Sequence, residues 1–225
     1  IFFDDQDREN LLPLVFTRPV SEIRIGILTI REKWEKMLGQ NDSSSFFTQE
    51  YLKAKYPLKI NDENIFINGG IIPDQTIIEE LKTLKNKEAL YSGTDLIAVN
   101  LGKEDAANFS SLAGYTAKST ASEKVIKIKN PWEIFGWNDL ALRRDYELIT
   151  RGRKSASISS TNTLIGHDIF VEEGAVVEAS ILNSKTGPIY IGKDSEVMEG
   201  SVIRGPFSLG EHSATKLSTK IYGAT

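Results

Sequence analysis

Two arginines bracket an apolar segment near the start of the chain, where positive charge is suited to holding an anion. Arg8 and Arg18 lie on either side of Glu9–Thr17, shortly after the apolar run Ile1–Phe3. If that run is the first strand of an α/β sheet, the segment is the loop at its carboxyl end, where such sheets bind ligands. Guanidinium groups bind phosphate oxygens through paired hydrogen bonds. We therefore predict that Arg8 and Arg18 hold a phosphate group and are the catalytic cations.

Two adjacent acids, Asp4 and Asp5, stand between the apolar run and the first arginine. Hard cations prefer carboxylate ligands, and a magnesium ion bound to phosphate needs only one or two of them. One interpretation is therefore that Asp4 and Asp5 bind a metal ion. The other is that they form a turn closing the first strand, and the sequence leaves both open.

The surrounding residues predict an α/β layer domain with a mainly parallel, Rossmann-like sheet. Ile65–Ile67 and Leu96–Val99 are short apolar runs typical of strands buried on both faces. Between them, Asp74 stands at the N-cap of a segment with helical apolar spacing, which gives a strand, helix, strand order. Another helix is expected to begin after Thr29, with Glu32 completing a capping box.

The chain changes character after a further predicted helix at Trp132–Thr150. The basic cluster Arg151–Lys154 either contacts a phosphate or is a solvated helix end, and Ser155–Thr163 has the composition of a linker. We therefore predict two domains, covering residues 1–154 and 155–225.

Aliphatic residues recur six apart through the second domain. This spacing fits neither a helix nor a single strand, but it is typical of a parallel β-helix, whose flat faces each begin with one inward residue. Glycines and small residues follow at the expected corners. Because a solenoid needs several stacked coils and a cap, we expect further coils beyond Thr225. The ladder comprises Ile165, Val171, Val177, Ile191, Val197, Ile203, Leu209 and Ile221.

Composition narrows the functional classes. The 225 residues are 40% hydrophobic, carry a net charge of -4 and include no cysteine. Without a block of five basic residues, nucleic acid and acidic membrane surfaces are poor partners. The absence of cysteine excludes disulfides, thiolate zinc sites and a cysteine nucleophile, and fits a cytoplasmic protein. No stretch has the length of a membrane-spanning helix.

The N-terminal segments resemble the sugar-1-phosphate nucleotidyltransferases, whose signature is a strand, a Gly-rich loop ending in Arg, and a Pro-Leu-Thr-x-Thr-Arg-Pro-Lys run. Together with the predicted β-helix, the chain is similar to the bifunctional N-acetylglucosamine-1-phosphate uridyltransferase and glucosamine-1-phosphate acetyltransferase family, and more narrowly to a divergent bacterial branch of it. The resemblance spans nearly the whole chain. It is carried by Pro13-Leu14, Phe16-Thr17-Arg18-Pro19 and Ile25-Gly26-Ile27-Leu28-Thr29 within Leu11–Trp34, and by Pro131-Trp132-Glu133-Ile134-Phe135.

The resemblance implies a transferase of sugar-nucleotide biosynthesis that assembles as a homotrimer through a left-handed hexapeptide β-helix. Its substrates would be a sugar 1-phosphate, a nucleoside triphosphate with Mg²⁺, and acetyl-CoA or another acyl-CoA. Thr17, Asn68 and Asp95 would bind substrate. Asn68 lies nearest to the family's metal-binding motif, and Asp95 is a candidate replacement carboxylate whose alternative role is in a turn.

The chain departs from the family at three points. Asp4–Asp7 replace the loop glycines, Val20 replaces the lysine after Arg-Pro, and Gly70 replaces the metal-binding Asp. These departures leave two alternatives: an acyl-CoA-dependent acyltransferase with a degenerate sugar- or nucleotide-binding domain, or a non-catalytic trimerising subunit. Acyl transfer needs a base, generally His. Only His167 and His212 are available, so we expect that base to lie beyond Thr225.

Overall fold

The computed structural model describes residues 1–40, 44–109 and 114–225. The chain divides into two compact units. The first comprises Ile1–Arg24 and Thr29–Glu133, and the second comprises Ile25–Leu28 and Ile134–Thr225. None of the helices in the described residues combines the length and hydrophobicity needed to cross a membrane.

The first unit is built on a six-stranded sheet of order β4-β1-β5-β8-β7-β9, accompanied by the two-stranded ladder β6-β10. A second short ladder, β2-β3, flanks the turn at Gly26 and Ile27. The strands up to α4 are β1 Phe2–Phe3, β2 Arg24–Ile25, β3 Leu28–Thr29, β4 Phe46–Phe47, β5 Glu63–Asn68, β6 Ile71–Ile72, β7 Glu88–Ser92, β8 Asp95–Gly102, β9 Thr116–Ser119 and β10 Ile126–Lys127.

The six-stranded sheet is mainly parallel, as predicted, with β8 as the strand that runs the other way. Strand β1 is parallel to β4 and β5, and β7 is parallel to β9, but β8 runs antiparallel to both β5 and β7. The predicted strand at Leu96–Val99 lies in β8. It is joined to β7 by Gly93 and Thr94 alone, and a two-residue loop can connect only antiparallel strands. The sequence interpretation had omitted β7.

The described residues also form four α-helices, α1 Ile30–Leu38, α2 Gln75–Lys82, α3 Lys103–Ala107 and α4 Pro131–Thr150, and 3-10 helices at Gln6–Leu11, Val20–Glu22 and Glu50–Leu52. The capping box before α1 is confirmed, because the Thr29 hydroxyl accepts a bond from the Glu32 amide and the Glu32 carboxylate accepts one from the Thr29 amide. Asp74 caps α2, as predicted, by accepting a bond from the Ile77 amide at 2.9 Å.

The second unit contains three parallel sheets, of order β11-β14-β17-β20, β12-β15-β18 and β13-β16-β19. Successive strands go to successive sheets, an arrangement compatible with the predicted β-helix. The strands are β11 Thr163–Ile165, β12 Ile169–Val171, β13 Val176–Val177, β14 Ile181–Asn183, β15 Ile189–Ile191, β16 Glu196–Val197, β17 Val202–Arg204, β18 Phe207–Leu209, β19 Ala214–Thr215 and β20 Lys220–Ile221.

The predicted ladder forms the core of these sheets, except for its first member. Val171, Ile191 and Leu209 stack in register and are all buried. Ile203, however, lies beside Leu182, which in turn lies beside Leu164 rather than Ile165. Assigning Ile165 to the ladder was therefore wrong, because Leu164 in β11 and Val171 in β12 are seven positions apart rather than six.

Helix α4 fixes the short segment Ile25–Leu28 within the second unit. The Asp145 side chain, with the residue only 2% exposed, accepts hydrogen bonds from the amides of Ile27 and Leu28 at 2.8 and 3.0 Å. Leu142 packs against the side chains of Ile27 and Leu28. A methyl group added at Gly26 would lie 2.7 Å from Asp145 Oδ2, which explains the need for glycine there.

Candidate functional site

Polar residues of the first unit collect at one edge of the six-stranded sheet. Strands β4, β1 and β5 are parallel, so their carboxyl ends meet at this edge and place Thr48, Asp4, Asp5 and Asn68 there. Strand β8 runs the other way and therefore contributes its first residue, Asp95, to the same edge. We call this edge, with the loop that follows β1, the polar edge.

Asp4 is held by the protein on both carboxylate oxygens. Oδ1 accepts a hydrogen bond from the Val20 amide at 2.8 Å, and Oδ2 accepts one from the Thr48 hydroxyl and lies 3.3 Å from Arg8 Nε. Burial raises the pKa of Asp4 and outweighs the opposing effect of these hydrogen bonds and of Arg8. Asp4 is therefore a buried anchor for the loop.

Arg8 lies inside the loop rather than on its surface. It belongs to a 3-10 helix, Gln6–Leu11, and is only 6% exposed. Its Nη2 donates to the Val15 carbonyl at 2.6 Å and to the Tyr51 hydroxyl at 2.9 Å. Since Asp4 lies on its Nε side, the guanidinium links the start of the loop to Val15 and to Tyr51. This geometry gives Arg8 a role in positioning the loop.

Asp5 and Asn68 are joined directly across the ends of β1 and β5. Asp5 Oδ1 accepts a bond from the Asp7 amide at 3.0 Å, as the cap of the 3-10 helix, and Oδ2 accepts one from Asn68 Nδ2 at 2.8 Å. Asn68 also donates to the Leu96 carbonyl and accepts from the Gly70 amide. Asn68 is buried, and in this arrangement its amide orients Asp5.

The ammonium group of Lys127 lies at the centre of three carboxylates. Its Nζ is 2.6 Å from Asp5 Oδ2, 2.6 Å from Asp7 Oδ2 and 3.0 Å from Asp95 Oδ1, and the side chain is 6% exposed. Burial alone would lower the pKa of Lys127, but the hydrogen bonds to Asp5, Asp7 and Asp95 outweigh it and raise that pKa well above its ordinary value. Lys127 is therefore a fully charged, buried cation.

Lys129 approaches the same edge from two residues further along and is more accessible, with 40% of its side chain exposed. Its Nζ lies 2.9 Å from Asp95 Oδ2. Partial burial would raise the pKa of Asp95, but the hydrogen bonds from Lys129 and Lys127 outweigh it and lower that pKa. Lys129 is thus a solvent-accessible positive charge at the polar edge.

The two remaining predicted residues, Thr17 and Arg18, lie on the exposed part of the loop beside Phe16, which is also exposed. Within the described part of the chain, Arg18 has no ion-pair partner. The structure therefore brings together Asp4, Asp5, Arg8, Asn68 and Asp95 in one bonded cluster, while Thr17 and Arg18, among the described residues, lie outside its hydrogen bonds and ion pairs.

Sequence reasoning missed Lys127 and Lys129, along with the cluster role of Asp7. A signal was present, because the two lysines alternate with the buried residues Ile126 and Ile128, as strand residues facing opposite sides do. What the alternation does not show is which acids Lys127 meets, because those acids come from distant parts of the sequence.

The residues of the polar edge do not fit a protein-bound metal ion. The described residues include no group of three or more His, Cys, Asp or Glu side chains arranged to hold one. Both oxygens of Asp4 and of Asp5 already accept hydrogen bonds, and the Lys127 ammonium lies among the carboxylates where a cation would bind. The arrangement is instead suited to binding anionic groups through its accessible cations.

Comparison with known proteins agrees with an anionic, phosphorylated ligand. A family model described as sugar nucleotidyl transferase matches residues 1–154, more than half of the chain. The chain belongs to the sugar nucleotidyl transferase family. No curated protein matches it. Membership in this sugar nucleotidyl transferase family makes the chain a transferase, and the matched residues include the polar edge.

Proposed function

We propose that the chain transfers a nucleotidyl group from a nucleoside triphosphate to a sugar 1-phosphate, with the polar edge as the site. An oxygen of the sugar phosphate attacks the α-phosphorus, the bond to the oxygen bridging the β-phosphorus breaks, and pyrophosphate leaves. The observation that carries the proposal is the placement of accessible cations at the carboxyl ends of parallel strands, where α/β proteins bind nucleotides. Family membership supports the same reaction.

Two side chains are suited to contact the phosphates directly. Arg18 is exposed on the loop after β1, and Lys129 is partly exposed at the edge. Arg8 and Lys127 are buried and hold the acids Asp4, Asp5 and Asp7, so that these carboxylates do not stand as bare negative charges beside a triphosphate. Binding by Arg18 and Lys129 would orient the two phosphorylated substrates for in-line attack.

The experiment measures pyrophosphate release by the full chain with each of several nucleoside triphosphates, Mg²⁺ and a panel of sugar 1-phosphates. At least one pair should give turnover. Arg18→Ala should raise the KM for a phosphorylated substrate by about tenfold, the loss of one charge-assisted hydrogen bond. Arg144→Ala removes an exposed arginine from α4 and should leave KM and kcat unchanged. Absence of pyrophosphate release with every pair would refute nucleotidyl transfer.

The finer activity is a uridyltransferase acting on N-acetylglucosamine 1-phosphate, proposed from the resemblance of the loop and of Pro131–Phe135. UTP with this sugar phosphate is therefore the first pair to test. If another pair turns over and this one does not, the family reaction stands and the finer assignment is wrong. If ligands bind without turnover, the alternative of a non-catalytic subunit replaces both.

A second proposal concerns acyl transfer, and it is favoured by the three parallel sheets of the second unit. We propose that they form a left-handed β-helix that trimerises and presents an acyl-CoA to an amino sugar. His167 and His212 are both exposed, and His212 Nδ1 lies 3.9 Å from Asp194. Thiol release from acetyl-CoA with glucosamine 1-phosphate tests the activity, and light scattering tests the trimer. No thiol release would contradict acyl transfer by this chain.

A further inference from the structure

The cation requirement of the polar edge is met by a side chain. Lys127 Nζ contacts one oxygen from each of three carboxylates, at 2.6 Å from Asp5 and Asp7 and 3.0 Å from Asp95. An ammonium group has three N–H donors and no acceptor, so three carboxylate partners use its full hydrogen-bonding capacity. Lys127 therefore has no N–H donor left for a substrate. Its role is to offset the repulsion among the three carboxylates.

The three acids come from separate parts of the chain and would repel one another without a cation between them. Asp5 follows β1, Asp7 lies in the 3-10 helix and Asp95 begins β8. Bringing like charges together in a partly buried site is unfavourable unless an opposite charge is included. In proteins that cation is commonly a divalent metal ion bound by carboxylates. Here the strand carrying Ile126 and Lys127 supplies it covalently.

We propose that Lys127 is the resident cation of the polar edge and takes the place of a divalent metal ion bound by the protein. The nucleotide-free chain then binds no Mg²⁺ at Asp5, Asp7 and Asp95, and any Mg²⁺ reaches the site only as the complex of the nucleoside triphosphate. The inference rests on the proposed function only for that second consequence, because metal binding to the free chain is measured without turnover.

Two observations favour this interpretation over an ordinary surface ion pair. The Lys127 side chain is as buried as Arg8, whereas an exposed pair such as Lys53 with Glu50 leaves both groups in solvent. Lys127 also contacts three acids, while its neighbour Lys129 contacts only Asp95 among the acids at this edge. Lys129 is therefore a matched control: a lysine two residues away, on the same segment and at the same edge.

The experiment titrates Mn²⁺ into the nucleotide-free full chain and follows free Mn²⁺ by electron paramagnetic resonance. We compare the unmodified chain, Lys127→Met, Lys129→Met, and the double variant Lys127→Met with Asp5→Asn. Removing the resident cation leaves three carboxylates facing one another, so Lys127→Met should bind one Mn²⁺ at least about tenfold more tightly than the unmodified chain, since affinity follows ligand charge. Lys129→Met should behave as the unmodified chain, and the double variant should lose the gained site.

Three results would overturn the proposal. The first is stoichiometric Mn²⁺ binding to the unmodified chain that Asp5→Asn abolishes. The second is a folded Lys127→Met chain with no gain in affinity. The third applies if Lys127→Met does not fold, and it uses the unmodified chain labelled with ¹⁵N-lysine. The Lys127 ammonium signal, identified by its absence from the spectrum of Lys127→Arg, should stay unchanged during a Mg²⁺ titration. A shift or loss of that signal would refute a resident cation. Pyrophosphate release plays no part in these readouts, so the proposed function fails or stands separately.

Discussion

Replacing Asp145 with alanine tests whether α4 holds the segment Ile25–Leu28 through one buried carboxylate. Asp145 Oδ2 accepts both the Ile27 and the Leu28 amide, and all three residues are buried. Alanine removes the acceptor and leaves two buried N–H groups without it.

The expected loss follows from these two bonds. Each hydrogen bond to a charged acceptor is worth about 1.5–3 kcal/mol, and unsatisfied buried donors carry a comparable penalty, so Asp145→Ala should lower stability by about 3–5 kcal/mol. For a chain of this size, that corresponds to a fall in Tm of at least about 6 °C. Thermal unfolding followed by circular dichroism measures it. The matched control is Asp139→Ala on the same helix, where the acid pairs with Arg143 in solvent.

Asp139→Ala should cost no more than about 1 kcal/mol, as exposed ion pairs generally do. Asp145→Asn adds a finer comparison, because its amide oxygen can still accept both N–H groups while the charge is lost. It should therefore lie between the alanine variant and the unmodified chain. If Asp145→Ala and Asp139→Ala have the same Tm, the buried carboxylate does not stabilise this segment and the reasoning is wrong.

Three further predictions concern the other elements. Asp95→Asn should reduce the loss of stability on acidification, because the pKa of Asp95 is lowered in the folded chain. The Asp95 carboxylate then stabilises the fold above its ordinary pKa, and this stabilisation is lost as the pH falls through the folded-state pKa. Urea denaturation of both chains at pH 7 and at pH 3 measures the difference. Gly187→Ala should destabilise the parallel sheets by about 1–3 kcal/mol, because the added Cβ would lie 2.4 Å from Pro206 Cγ. The control is Gly210→Ala, whose Cβ would meet no atom nearer than 3.5 Å. Equal melting temperatures for these two variants would contradict the prediction. Thr29→Ala should cost about 1 kcal/mol by removing the capping box, and an unchanged urea midpoint would count against that role.

Local signals in the sequence predicted local structure well. The Thr29 capping box and the Asp74 cap are confirmed, because each depends on residues only three apart. The six-residue ladder also placed most of the second core, from Val171 onward. It failed at Ile165, because the step from β11 to β12 is one residue longer than the six-residue repeat, and no local pattern marks such an insertion.

Pairings between distant residues were beyond the same reasoning. The sequence suggested that Asp4, Asp5 and Arg8 lie at a strand end, and they do. It did not suggest that Lys127 reaches two acids of the first loop, because more than a hundred residues separate them. Once β8 is antiparallel, Asp95 comes to the same edge as Asn68, and an acidic cluster needing a cation follows.

The bond between Asp145 and the Ile27 and Leu28 amides has a consequence for the order in which the chain folds during synthesis. Ile25–Leu28 are synthesised long before α4. The Ile27 and Leu28 amides therefore lack the Asp145 acceptor while the rest of the first unit is made. Because chains fold from the N-terminus as they are synthesised, this segment can be completed only when Asp145 appears. Tyr190 of β15 also packs against Ile27, Leu28 and Leu142, so the apolar contacts of the segment are complete only after that strand is made. The early segment therefore depends on two later parts of the chain: α4 supplies its hydrogen-bond acceptor, and β15 supplies an apolar contact.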